Sequence, residues 1–266
     1  MKKYFKKTYE VLKKALKSPG YLFLFPFRMH GKRNSALKQH GFPKWKKSII
    51  WMGWAVSVFH VLVILFGLFF SVLYSFIDPP VSSFMIYRAV FDGYEIRKNE
   101  FIPLKKLPKG TSRMLVRVED SNFYDHWGID IDAIESARKR NEKAGYNKYG
   151  GSTITQQLVK TLFLVPEKLL IRKYAEVIIA IEFDLILSKD RILELYLNNV
   201  EWGKGIFGIE AAAVYHYNKH AVKLNREETA RLITILPNPL KYNVKNFARK
   251  KSMSRRYYRL MPSLEE

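Results

Sequence analysis

The sequence predicts a mainly α-helical domain preceded by one membrane-spanning helix. Three observations lead there: an uncharged apolar run, a scarcity of alternating strand patterns after it, and repeated helix-start signals from Thr111 onward. The run is IIWMGWAVSVFHVLVILFGLFFSVLYSFI, Ile49 to Ile77, 29 residues without one Lys, Arg, Asp or Glu. About 20 apolar residues cross a bilayer, so it suffices even when tilted. A cleaved signal peptide has a shorter apolar core, nearer Met1. Trp51, Trp54 and Tyr74 fall near the ends, where amphipathic rings favour the headgroup zone. A buried core helix is the alternative, but such helices seldom reach this length with no charge. His60 within the run reads as a neutral, packed side chain rather than a proton relay.

Charge gives the orientation. The chain holds 46 Lys+Arg against 24 Asp+Glu, and residues 1–48 carry 14 of the basic residues with a single acid, Glu10. Lys44, Lys46 and Lys47 abut the run on one side and Asp78-Pro79-Pro80 follows it on the other, so the positive-inside rule places the N-terminus in the cytoplasm. The expected organisation is a basic cytoplasmic leader at 1–48, a transmembrane helix at 49–77 and an extracytoplasmic domain at 78–266. Lysines among Tyr4, Phe5, Val11, Leu12 and Leu16 suit an amphipathic helix on an anionic leaflet. The membrane run beside this leader argues against nucleic acid as the partner of its charge. With no cysteine, disulfides and thiolate metal sites are excluded.

The later elements follow in order. Pro79-Pro80 ends the span, and Val81 to Gly110, with Pro103 and Pro108, predicts a short helix and then irregular chain. Ser112 can cap a helix reaching Asn122, and Asp130 or Asp132 can start another ending near Gly145. Ser152 or Thr153 starts the next, in GGSTITQQLVKTLFL. There Ile154, Leu158 and Leu162 form the buried stripe, while Thr153, Gln156, Gln157 and Lys160 line a polar face. Ile171 to Asn199 holds two amphipathic runs broken near Ser188-Lys189-Asp190. Gly203, Gly205 and Gly208 permit a tight loop before a helix at Ile209 to Tyr217.

Three clusters carry candidate chemistry. In VEDSNFYDHWGID, Glu119, Phe123 and His126 share a face if the helix continues. A metal site from Asp120, Asp125, His126 and Asp130 lacks a recognised ligand spacing. In the second cluster, Thr153 with Gln156 fits a capping box, which starts many ordinary helices. In the third, Arg172 and Glu176 stand at i, i+4, the spacing of an ordinary helix ion pair. Each cluster alone has a structural explanation.

Together they carry a resemblance. E-D-x-x-F-x-x-H-x-G at Glu119–Gly128, G-x-S-T-I-T-Q-Q-L-x-K at Gly150–Lys160, R-K-x-x-E at Arg172–Glu176 and S-K-x-x-I-L-E-x-Y-L-N at Ser188–Asn198 resemble the peptidoglycan glycosyltransferase family. The likeness covers about residues 79 to 245 and, because the chain stops soon after Leu236–Leu240, is closest to the family's monofunctional form. The departures are Thr161 for Asn, His216-Tyr217 for Tyr-Phe, Arg117-Val118 for small residues, and a half-kept R-R-x-x-V-L element at Arg255–Leu260.

The resemblance implies a lysozyme-like α fold and polymerisation of lipid II. A glycan is transferred with inversion from a lipid pyrophosphate to the 4-hydroxyl of the next lipid II. Glu119 is then the base, and Glu176 assists the leaving group through a divalent ion or by orienting Arg172. Lys160, Lys168, Arg172 and Lys173 hold the pyrophosphate, and Ser152, Thr153, Gln156 and Gln157 shape the site. Asp120, Phe123 and His126 support it, while Tyr196 and Asn198 pack. A divalent cation, magnesium or manganese, is the one cofactor implied. The implied partners are lipid II, the growing strand, the inner membrane and cell-division or elongation proteins. Residues 133–149 are expected to form a mobile lip over the cleft. Two other classes stay open: a lysozyme-like hydrolase, which needs no phosphate-binding lysines, and a non-catalytic scaffold, which would be free to lose a glutamate.

Overall fold

The computed structural model describes residues 44–97, 100–146, 149–167 and 169–261. Most of the basic leader, to residue 43, and Lys168 lie outside the described residues. The chain divides into two compact units, Met1–Leu62 and Val63–Glu266. Of the first, residues 44–62 are described and all are helical. They begin α1, Lys44–Phe76, which takes the flanking lysines into its first turns. Only 11% of its apolar window is buried. A soluble protein's core helix would be mostly buried, so side chains such as Met52, Phe69 and Val72 require an apolar solvent.

In the second unit, Gly67, Ser71 and Tyr74 form the buried stripe of α1. Tyr74 lies parallel to Phe163 with centroids 5.9 Å apart, and Phe70 stands 5.0 Å from the same ring. At Gly67 a Cβ would lie 1.7 Å from Glu182 Oε2, so any larger residue there would push that carboxyl aside. Glu182 is 8% exposed and its Oε2 has no hydrogen-bond partner among the described residues. Burial pushes its pKa up to about 7. A carboxyl whose folded pKa lies above its ordinary value favours folding least when ionised. Stability should therefore be lost as pH rises from about 4.5 through 7. Glu182→Gln removes the titration. Its melting temperature should exceed wild type at pH 8, with the gap closing near pH 4.5 in thermal melts.

After α1 come α2 (Ser83–Val90), a 3₁₀ turn at Leu104–Lys106 and α3 (Thr111–Glu119). The expected helix to Asn122 is shorter: its N-cap is Gly110, Ser112 lies inside, and it stops at Glu119. Glu119, Phe123 and His126 therefore do not share a helical face. Asp120 adopts φ −160°, and turns fill residues 121–128, a stretch rich in turn formers such as Ser121, Asn122 and Gly128.

Next are α4 (Ile131–Ala144), α5 (Ile154–Phe163), α6 (Leu170–Ile186) and α7 (Lys189–Asn199). The local signals specify them well. Asp130 caps α4 by accepting from Ala133 N at 2.8 Å, and Gly145 ends it in the left-handed region. The T-x-x-Q box of α5 forms in full, and Ser188 caps α7. The 133–149 segment is thus helical through Ala144.

Then follow β1 (Glu201–Gly203), its antiparallel partner β2 (Ile206–Phe207), α8 (Ile209–Tyr217), α9 (Arg226–Ile235) and α10 (Lys251–Leu260). The core centres on α5, packed against α6, α7 and α2. Ile154, Leu158 and Val159 have no exposure. Removing one such side chain costs about 2–5 kcal/mol.

Candidate active site

The break after α3 organises the first half of the site. Asp120 Oδ2 accepts from Ile154 N at 2.9 Å, placing a carboxylate on the positive end of α5, and His126 Nε2 stands 3.0 Å from Oδ1. Burial pushes the Asp120 carboxyl up, against the lowering pull of those two partners. Thr153 Oγ1 donates to Gly128 O at 2.6 Å. Gly128 has φ +77°, and a Cβ there would meet Ala180 O at 2.4 Å. The turn, the start of α5 and α6 are thereby clamped together.

Glu119 stands beside this clamp with both carboxylate oxygens engaged. Oε1 pairs with the Arg256 guanidinium, whose Nη1 also donates to Val118 O at 2.8 Å. Oε2 accepts from Gln157 Nε2 at 3.2 Å, and Gln157 Oε1 accepts from Tyr196 OH at 2.9 Å. Burial holds the Tyr196 phenol well above its ordinary pKa, so it remains a donor. A carboxylate oxygen has two acceptor sites, so Oε2 retains capacity for a further hydroxyl. Glu119, Ser152 and Thr153 line a cleft of about 510 Å³.

The second half is cationic. Arg172 Nη1 and Lys173 Nζ each lie 2.5 Å from a different oxygen of Glu176, which is 2% exposed. Lys173 also reaches Ser152 Oγ at 3.0 Å. Lys160 forms no ion pair among the described residues, and its ammonium lies 5.8 Å from the Phe84 ring centroid. Burial pulls its pKa down. Glu176 and Glu119 act against that, and Arg172 and Lys173 add to it. Lys160 thus feels both glutamates and both other cations: it sits between the halves.

Each Glu176 oxygen pairs with one cation, and among the described residues no group of three His, Cys, Asp or Glu side chains could hold a metal ion by itself. The model of the transglycosylase family matches residues 88–263. The chain belongs to that family. Over 146 residues it is 46% identical to the biosynthetic peptidoglycan transglycosylase of Herminiimonas arsenicoxydans, covering 55% of this chain and 63% of that one. The same-named protein of Dechloromonas aromatica is 39% identical over 175 residues, 64% of this chain and 76% of the relative. That of Burkholderia vietnamiensis is 40% identical over 196 residues, 71% and 80%. The chain thus spans just under two thirds of the first relative and more of the other two.

Within this transglycosylase fold, lysozyme-like and mainly α, most sequence-derived residues have a defined place. Glu119, Gln157, Lys160, Arg172, Lys173, Glu176 and Ser152 form the two halves. Thr153 and Gln156 are buried and build the cap of α5. Phe123 is wholly buried, beneath the Lys189 ammonium. Lys189 in turn pairs with Asp184 at 2.6 Å and donates to His126 O at 2.7 Å, tying the start of α7 to the first cluster. Sequence reasoning missed Arg256 and the Tyr196–Gln157 relay. The double arginine of the half-kept late element was the available signal for Arg256.

Proposed function

We propose that the chain polymerises lipid II by transferring the glycan from its lipid pyrophosphate to the 4-hydroxyl of the next lipid II. The observation that carries this reading is Lys160: a half-buried ammonium that forms no ion pair among the described residues and that feels Glu119, Glu176 and the two cations paired with Glu176. A glycan-cleaving enzyme on this fold needs carboxylates but has no use for three converging cations. A departing pyrophosphate needs them.

Each group then has one task. Glu119 takes the proton of the acceptor hydroxyl as its oxygen bonds to the donor's anomeric carbon. The bond from that carbon to the phosphate oxygen breaks on the opposite face. The electron pair leaves with the pyrophosphate, where Lys160, Arg172 and Lys173 balance its charge. Glu176 is a positioning residue that fixes Arg172 and Lys173. Arg256 and Gln157 aim Glu119. The start of α5 is committed to Asp120, so the carboxylate there holds the fold and the side-chain cations hold the phosphates.

The span of α1, with exposed Leu170, Ile171 and Leu185 on α6, supports a chain seated in the inner membrane. The basic leader then lies in the cytoplasm, and the lipid end of the substrate reaches the cleft from the bilayer. Added protease should digest the C-terminal domain in spheroplasts and spare a tag at Met1; the reverse pattern contradicts this topology. The activity itself is tested by incubating the full chain with lipid II and sizing the glycan. Long strands are expected, with finished strands left uncut. Cut strands and no polymer would support the hydrolase instead.

A further inference from the structure

Four cations unused by the transfer chemistry stand together on the flank of α3. Lys109 precedes the helix, Arg113 and Arg117 lie one turn apart on its exposed face, and Arg226 opens α9. With Gly110, Met114 and Leu260 they line a pocket of about 280 Å³ that has no carboxylate in its lining. None of the four forms an ion pair among the described residues; other surface arginines, such as Arg138 and Arg231, are each held by a glutamate one turn away. Like charges gathered without counter-charge repel one another, and an arriving anion relieves that repulsion. Arg117 also lines the 510 Å³ cleft that holds Glu119. Pocket and cleft therefore adjoin.

We propose that this pocket binds the carboxylates of the stem peptide carried by the incoming lipid II. The assignment rests on Glu119 being the base that faces the acceptor. An acceptor hydroxyl within reach of Glu119 puts its sugar in the cleft, and the stem peptide hangs from the neighbouring sugar. An extended peptide covers roughly 3.3–3.6 Å per residue, so a few residues carry it past Arg117 towards Arg113. Spaced guanidinium groups in a shallow pocket suit separate carboxylates along a chain; a compact pyrophosphate calls for converging cations, as around Lys160. Arginine offers each carboxylate a two-pronged contact. The pocket would thus favour acceptors whose stems keep their acidic groups free.

The test compares full-length wild type with Arg113→Glu/Arg226→Glu, two pocket residues outside the catalytic cleft, on two lipid II substrates, one with free stem carboxylates and one with all of them amidated. For the free-acid substrate the variant's KM should rise about tenfold with kcat nearly unchanged, as loss of charge complementarity predicts. For the amidated substrate KM should move by less than twofold, which also shows the variant to be folded. An equal shift on both substrates, or none on either, overturns the proposal. The assay is repeated in phosphatidylcholine vesicles with and without phosphatidylglycerol. A defect confined to the anionic vesicles and identical for both stems assigns the pocket to lipid headgroups and likewise overturns it. Wild type that polymerises neither substrate would contradict the transferase reading itself, a failure plainly distinct from an equal shift.

Discussion

Glu119→Gln should slow polymerisation by at least the roughly 10²–10⁴-fold that general base catalysis contributes, with donor binding within about twofold of wild type. The substitution keeps the size of the side chain and its oxygen towards Arg256, but leaves nothing basic to take the hydroxyl proton. On the proposed reading the pyrophosphate is held by Arg172 and Lys173 in the other half and by Lys160 between the two, so affinity for the lipid-linked donor survives. Binding by fluorescence anisotropy and turnover by gel, on one preparation, separate the two. A variant that polymerises at the wild-type rate would remove Glu119 from the chemistry.

Lys160→Ala should fail differently, in both binding and turnover. Its ammonium is the one cation of the trio without a carboxylate partner among the described residues, so the donor's phosphates are its natural counter-charge. Losing it weakens the ground-state complex. It also exposes the leaving group's developing charge, and removing one such stabilising donor typically costs about 10²–10³ in kcat. The wild-type pH dependence carries a matching sign. Burial lowers the Lys160 pKa, so the ammonium becomes neutral earlier on the alkaline side than an exposed lysine, and KM for lipid II should rise there. Lys160→Arg stays charged and should flatten that limb. Unchanged KM in Lys160→Ala would place the pyrophosphate elsewhere.

Features written in neighbouring residues were legible in the sequence. The T-x-x-Q box, the Asp130 cap, the Ser188 break and the uncharged span all depend on groups a few positions apart, and each formed. What the sequence concealed depends on distant partners. The stop after Glu119 is stabilised by Asp120 reaching Ile154 N, 34 residues on. Arg256 meets Glu119 across 137 residues, from an element that keeps only half of its family pattern. Nothing local distinguishes Gly67 within the uncharged run; the carboxyl of Glu182, far along the chain, comes to rest against it. The hairpin of β1 and β2 is too short for alternation to register. Gln156 showed the opposite limit: its motif was recognisable, but only the structure shows that it is wholly buried as it builds the helix start.

The central claim is a direct displacement, with Glu119 on the acceptor side and the Lys160 cluster on the leaving-group side. The configuration of the new glycosidic bond tests it most directly, read by NMR on strands made from lipid II whose donor sugar is α-linked to pyrophosphate. The account predicts β linkages throughout, because attack and departure occur on opposite faces in one step. An α linkage would require two displacements through a glycosylated enzyme and would contradict the roles assigned to both glutamates.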